Sequence, residues 1–315
     1  MNKKKIITDM LVIIVAFALF IIWNSKYQDN AVSTSAYLNR YYKVYLITMD
    51  KTDEFWYPLN QGATDMAALL GVTYVWDAPE IKDNAKQIEV LNKAVANGAD
   101  AILLSANDPV KISTAIEDAK AKGVQIIYVD SPAYEEARIT LSTDNYDAGK
   151  TAGKTMLTEL GAYGIKSGSI GIVGLNTVAN ATMNRELGFR EVLEADGRFT
   201  LLDSKYENGD PIASQEAATS IISENPNLVG LFGSNEGSTV GVGNAIEANN
   251  NKIIGIGFDK SDTILKLIED GSLKAVLVQN PYTMGYLGMA EAIAALKGYN
   301  TGPPTIDTGV SVFTK

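Results

Sequence analysis

The stretch KVYLITMDKTDEFWYP, residues 43–58, decides how the rest of the chain is read. Val44 to Met49 is a short run, mostly apolar and partly β-branched, followed at once by polar residues. A run of that kind reads as a strand buried on both faces, as in a parallel sheet. The loop behind it presents Asp53, Glu54, Phe55 and Trp56, and a helix-like segment begins near Pro58. In open α/β sheets the ligand crevice lies outside the carboxyl ends of the strands, where this loop falls. An acid beside two aromatics there suits a ligand with one apolar face and a polar rim, such as a pyranose. Phe55 and Trp56 read equally well as core residues capping the sheet.

Outward from this stretch, short apolar runs alternate with amphipathic ones. Strand-like runs are Val44–Met49, Val72–Trp76, Ala101–Leu104, Val124–Val129 and Ile139–Leu141. A second set is Ser169–Val173, Phe199–Leu202, Leu228–Phe232, Ile253–Phe258 and Ala275–Val278. Helix-like segments lie between them: Ala85–Asn97, Val110–Lys122, Ala148–Leu160, Asn184–Ala195, Ile212–Asn225, Ser238–Asn249 and Tyr286–Lys297. Gly98, Gly123, Gly161, Gly197, Gly271 and Gly298 punctuate helix ends. Such alternation builds a parallel sheet with helices on both faces. Two sets of strands, parted by the charged stretch near 144–149, predict two similar lobes; a barrel is the competing arrangement.

The chain has 315 residues, enough for two lobes of about 100–150 residues behind a short leader. A net charge of -10 argues against a nucleic-acid partner, which selects basic surfaces. The sequence holds no Cys and no His. That removes zinc sites of the usual kinds, Cys nucleophiles, Ser-His-Asp triads and the usual acid/base group near neutrality. No metal or cofactor is expected. Residues 1–25 combine Lys3–Lys5 with the uninterrupted apolar run Met10–Trp23. That run spans about 21 Å as a helix, short of the ~30 Å hydrocarbon core. The segment reads as a membrane anchor or a signal peptide. The anchor is favoured because the first small pair, Ala31 and Ser33, stands far from the apolar run. Either way the basic end stays cytoplasmic and the rest is sent outside, anchored on the outer face of the membrane or released after cleavage. Residues 26–41 read as a tether.

The residues that follow the strands repeat a pattern. Asp53, Phe55 and Trp56 follow the first run, Ser105, Asn107 and Asp108 the third, and Asp130 and Ser131 the fourth. In the second set come Asn180–Arg185, then Tyr206-Glu207-Asn208, Ser234-Asn235-Glu236, Asp259 after GIGF, and Gln279-Asn280. Any one Asp or Asn at a strand end is ordinarily a helix cap. Their recurrence favours a hydrogen-bonding rim for a hydroxylated ligand.

At this level the chain from about 43 to 313 resembles the ribose-binding protein family, the type I periplasmic sugar-binding proteins of ABC importers. The resemblance lies in DEFWYPL, GADAILLSANDP, IIYVDSP, STDNYDAG, ATMNRELGFRE, LFGSNEGSTVGV, IGFDKS and VLVQNPYTMG, in the family's order and spacing. It implies a two-lobed α/β fold, residues 42–145 plus 280–308 against 146–279 plus 309–315, joined by three hinge crossings and closing on a sugar. By position it implies stacking aromatics at Phe55, Trp56 and Phe258 and hydroxyl acceptors at Asp130 and Asp259. It implies donors at Arg185, Asn235 and Gln279. Asp53, Ser105, Ser131 and Asn208 stand where ribose binders carry Asn, Asn, Arg and an aromatic, which points away from ribose within the sugar class. An uncharged sugar is the first expectation and an amino sugar the second.

Two motifs compete weakly with this reading. Ala148–Thr155, AGKTAGKT, formally fits a loose phosphate loop, but Ala148, Ala152, Met156 and Leu160 share one helical face. Gly241-Val242-Gly243 and Gly255-Ile256-Gly257 are fragments of a dinucleotide fingerprint without its spacing. Tyr282, Tyr286 and Met289 read as helix packing. The functional expectation is a receptor that hands a monosaccharide to an ABC permease. The alternative is a membrane-anchored sensor presenting its closed form to a histidine kinase or chemoreceptor. A repressor core would need a helix-turn-helix in place of the apolar leader. An enzyme is not expected, because the rim holds no nucleophile with its base.

Overall fold

A computed structural model describes Phe20 and residues 41–176, 178–250, 252–300 and 302–315. The expected anchor and tether fall outside the described residues, apart from Phe20 and Tyr41. Among the described residues no helix is long and apolar enough to cross a membrane.

Residues from Tyr42 to Lys315 form one compact unit built on two sheets. In the first lobe, β1 (Lys43–Ile47), β2 (Thr73–Asp77), β3 (Ala101–Leu104), β4 (Gln125–Val129) and β5 (Thr140–Ser142) alternate with α1 (Trp56–Leu70), α2 (Asn84–Ala96) and α3 (Ser113–Ala121). The second lobe holds α4 (Asn145–Ala162), β6 (Gly168–Gly174), α5 (Asn180–Asp196), β7 (Phe199–Leu201), β8 (Lys205–Tyr206), α6 (Pro211–Glu224) and β9 (Leu228–Gly233). It continues with α7 (Glu236–Ala248), β10 (Ile254–Phe258), α8 (Asp262–Glu269) and β11 (Ala275–Gln279). The chain then returns through α9 (Pro281–Leu296) and β12 (Thr305–Asp307) to the first lobe and ends as β13 (Val310–Thr314) in the second. The sheet orders are β12-β5-β4-β3-β1-β2 and β13-β11-β10-β9-β6-β7, with β8 beside β6. All pairings are parallel except β11 with β13.

Period-2 alternation explains why both faces of each sheet are covered. Val44 and Leu46 of β1 enter one core with α1 and α9, while Tyr45 and Ile47 enter the other with α2 and α3. In β10, Ile254, Ile256 and Phe258 face α4 and α5, and Gly255 and Gly257 lie under α7 and the turn before β11.

Close helix pairs rest on glycine. A Cβ at Gly149 of α4 would meet the backbone of Arg185 in α5, and one at Gly188 would meet the backbone of Tyr146. The AGKTAGKT stretch is therefore the interior of α4, its glycines spent on contact with α5. Met289 is buried against the first sheet, whereas Tyr282 and Tyr286 stack on one another and Tyr282 Oη donates to Asp65 of α1.

The chain passes between the sheets three times, at 142–145, 279–281 and 307–310. The crossings are laced together. Thr143 Oγ1 donates to Gln279 Oε1 (2.9 Å), Asp144 N–H to Asp307 Oδ1 (2.9 Å) and Asn280 Nδ2 to Thr308 O (2.7 Å).

Candidate functional site

Asp50, at the end of β1, organises the first wall. Its Oδ1 accepts the N–H groups of Thr52 (2.7 Å) and Asp53 (2.9 Å), which turns the chain into α1. Its Oδ2 accepts Trp56 Nε1–H at 3.3 Å and lies 2.9 Å from Lys82 Nζ. Lys82 also reaches Asp53 Oδ2 at 2.7 Å. Burial would raise the Asp50 carboxyl, but Lys82 and the amides outweigh it and hold the group below its ordinary range. Asp53 is pushed up to about 6, first by burial and then, against Lys82, by its acidic neighbours. Lys82 is driven above its ordinary value because Asp53 and Asp50 outweigh burial.

Phe55 and Trp56 meet edge to face, with centroids 4.9 Å apart. Both belong to the apolar core and both line the cavity between the lobes. The two readings of these rings are thus compatible, since each ring belongs to the core and to the cavity wall.

Asp130 and Asp259 end equivalent strands, β4 and β10, in the two lobes. Each adopts a left-handed backbone, φ 64° and 72°, sparsely populated for a non-glycine residue. Their N–H groups donate across the sheet to Leu141 O (2.9 Å) and Leu277 O (2.8 Å), which holds that conformation. Asp130 Oδ2 accepts from Ser131 Oγ (2.7 Å) and Ser105 Oγ (3.2 Å). Asp259 Oδ1 accepts from Gln279 Nε2 (2.6 Å), tying the site to the hinge. Burial raises both carboxyls, and Arg185 opposes it at each. Arg185 is fixed by Nε to Asn145 Oδ1 (2.8 Å) and Nη1 to Ser234 O (2.9 Å), with Nη1 3.9 Å from Asp259 Oδ2.

The two lobes enclose a cavity of about 40 Å3, several times the roughly 10–15 Å3 that one water requires. Among the twelve residues expected from the sequence, Asp53, Phe55, Trp56, Asp130, Ser131, Arg185, Asn235, Asp259 and Gln279 line it. Three do not. Ser105 sits one layer behind, bonded to Asp130. Asn208 is exposed at the mouth of the cleft, where its Nδ2 donates to Lys82 O at 3.3 Å. Phe258 is fully buried against Phe232, and the Arg185 guanidinium lies 4.3 Å over its ring. From the second lobe Leu175, Ala181 and Thr182 supply the wall in its place. Asn107 and Asp108, read as rim residues, serve the scaffold: Asn107 Nδ2 donates to Met49 O (3.0 Å), and Asp108 caps the turn before α3.

Sequence reasoning missed Lys82 and named Glu236 only as part of the rim, not as a ligand residue, and both line the cavity. Glu236, the first residue of α7, accepts the N–H groups of Glu54 (3.0 Å) and Phe55 (2.8 Å) from the opposite lobe. Burial above all, then Asp53 and Asp259, pushes its carboxyl up to about 8. Among the described residues no group of three or more acids could hold a metal ion.

Comparison with known proteins agrees with the two-lobed α/β fold. The chain is 26% identical over 269 residues to the ribose import binding protein RbsB of Haemophilus influenzae, covering 85% of this chain and 89% of that protein. It is 24% identical to the D-allose-binding periplasmic protein of Escherichia coli, over 84% and 88% of the two chains. A carbohydrate transporter solute binding protein from Agrobacterium Radiobacter, solved in complex with D-arabinose, superposes with a TM-score of 0.84. That pair is 30% identical, over 88% of this chain and 95% of the other. An ABC transporter solute binding protein from Agrobacterium vitis, bound with alpha-D-tagatopyranose, gives a TM-score of 0.82 at 23% identity, a likeness of fold. The periplasmic binding protein domain model matches residues 44–300, and the chain belongs to that family.

Proposed function

We propose that the protein captures a monosaccharide between its lobes, on the outer side of the cell membrane, and presents the closed form to an ABC sugar importer. The observation that carries this reading is a small cavity lined from both lobes, with Phe55 and Trp56 beside Asp130, Asp259, Arg185, Asn235 and Gln279. Aromatic edges and faces suit the C–H surface of a sugar ring. Carboxylates accept its hydroxyl protons, and Arg185, Asn235 and Gln279 donate to its oxygens. A charge-assisted hydrogen bond contributes roughly 1.5–3 kcal/mol net. A few of them with stacking reach micromolar affinity, about -8 kcal/mol, after ordering costs. Because both lobes contribute, ligand contacts are complete only when the lobes meet, so binding shifts an open–closed equilibrium. The related proteins that bind ribose, allose and arabinose support the sugar class. Residues 1–25 serve in this reading as the membrane anchor or signal that places the chain outside.

The test is calorimetric titration of the full-length protein with D-ribose, D-allose, D-arabinose and D-tagatose. Saturable heat with at least one is the expected result. No heat with any carbohydrate would overturn the reading.

A further inference from the structure

Glu236 makes a contact that the sugar reading does not use. Its carboxylate leaves the second lobe at the start of α7 and crosses the cleft. There Oε1 takes the N–H of Glu54 and Oε2 the N–H of Phe55, two amides at the beginning of α1 that have no acceptor within that helix. Free amides at a helix start need acceptors from outside the helix, and the two carboxyl oxygens of Glu236 supply them. The exchange runs both ways: Glu54 Oε2 accepts the Asp262 N–H at 3.3 Å, at the start of α8 in the second lobe. Both contacts join opposite lobes, so both require closure, and both end on the two residues before Trp56.

We propose that Glu236 is a positioning residue that couples closure to ligand affinity, gripping the amides of Glu54 and Phe55 and so fixing the aromatic wall over the sugar. This rests on the monosaccharide reading above. It is distinct from a direct ligand contact, because Glu236 acts through the backbone of the 54–55 turn.

The latch carries a proton signature. Glu236 faces Asp53 and Asp259, with Glu54 on the turn that it grips. Lys82 stands nearby, shared between Asp50 and Asp53, and Arg185 lies beside Asp259. A carboxyl in water has an ordinary value of 4.5, whereas here, between the lobes, burial above all and then the two acids lift it to about 8. A group whose value rises on closing takes up a proton as the lobes meet. Closure is therefore favoured at low pH, and the advantage is lost as pH rises through about 8. Asp53, Asp130 and Asp259, whose carboxyls burial also raises, act with the same sign, so Glu236's share of the slope is the part that its replacement removes.

The experiment is titration of the wild type, Glu236→Gln and Glu54→Gln with the best-binding sugar of the four named, at pH 6.5, 7, 8 and 8.5. Wild-type affinity should fall several-fold, at most about tenfold per pH unit, between pH 7 and 8.5. Glu236→Gln, which keeps one acceptor and sets an amide donor against a backbone donor, should bind about tenfold more weakly with a shallower slope in that range. Glu54→Gln should lose a few-fold and keep the slope. The proposal is overturned if Glu236→Gln matches the wild type in affinity or retains its slope. Should Glu236→Gln fail to fold, a Glu54→Gln protein with wild-type affinity, or a flat wild-type profile, overturns it instead. No heat in the wild type with any sugar removes the monosaccharide reading and this one together. Heat in the wild type with an unchanged Glu236→Gln removes this one alone.

Discussion

Asp130 and Asp259 show at the scale of single residues how the two lobes make one site. Each ends the matching strand of its own sheet in a left-handed turn and aims a buried carboxyl at the same cavity. A non-glycine residue held there costs of order 1 kcal/mol or more, a cost that the surrounding sheet must absorb. Replacing Asp259 by Ala should weaken sugar binding by about 1.5–3 kcal/mol, roughly 10- to 150-fold, with the fold intact. Trp56→Ala should weaken it by a similar factor, and because Trp56 is also core it should lower the unfolding temperature as well. Titration and thermal unfolding of the same samples separate the two effects. Lys82→Met leaves Asp50 and Asp53 buried without their cation and should cost about 3 kcal/mol in urea unfolding at pH 7. The sign with pH follows from Asp50, whose carboxyl lies below its ordinary 3.8. Its contribution is present above that value and fades as the pH falls through the lowered one, so the wild type and Lys82→Met should converge in acid.

Among elements, the α4–α5 pair decides where Arg185 stands. Gly149 and Gly188 let the two backbones touch, and Arg185 leaves α5 at that contact. Gly149→Val should therefore push α5 outward, lower stability by about 1–3 kcal/mol and reduce sugar affinity in parallel, as thermal unfolding and titration would show. Strands β1 and β3 were readable because each is a short, nearly continuous apolar run, as expected where both faces meet helices. Helix starts were harder. The apolar pattern of α4 begins at Ala148, but the helix begins at Asn145, where Asp144 caps it. Helix α8 escaped notice, since eight residues hold few turns, although Ser261 caps it and Ile264, Leu267 and Ile268 form its buried stripe. The site was legible wherever an acid or amide follows a strand. Lys82 was not, because PEIKD after β2 looks like a solvated charged loop and its partners Asp50 and Asp53 lie some thirty residues earlier. Phe258 shows the converse. Its place in the sequence fits a stacking ring, but its register in β10 turns it, with Ile254 and Ile256, into the core beneath Arg185.

For the molecule as a whole, function depends on two lobes that share no sheet and are joined by three short crossings. Gln279 occupies the second crossing, where Thr143 donates to its Oε1 and its Nε2 donates to Asp259, so hinge geometry and site geometry are coupled. The missing His and Cys had already confined the chemistry to carboxylates, hydroxyls, amides and the cations of Lys and Arg. What no single stretch contained was the pairing across the cleft, since Glu236 and Phe55 lie 181 positions apart.

Interlobe distance tests the central claim most directly. The chain has no cysteine, so Ile81→Cys and Ile212→Cys, both exposed near the mouth of the cleft, accept a pair of spin labels without background. Adding the sugar identified by titration should shorten and narrow the measured distance distribution. An unchanged distribution at saturating sugar would contradict the claim that the ligand is held by closure of the two lobes.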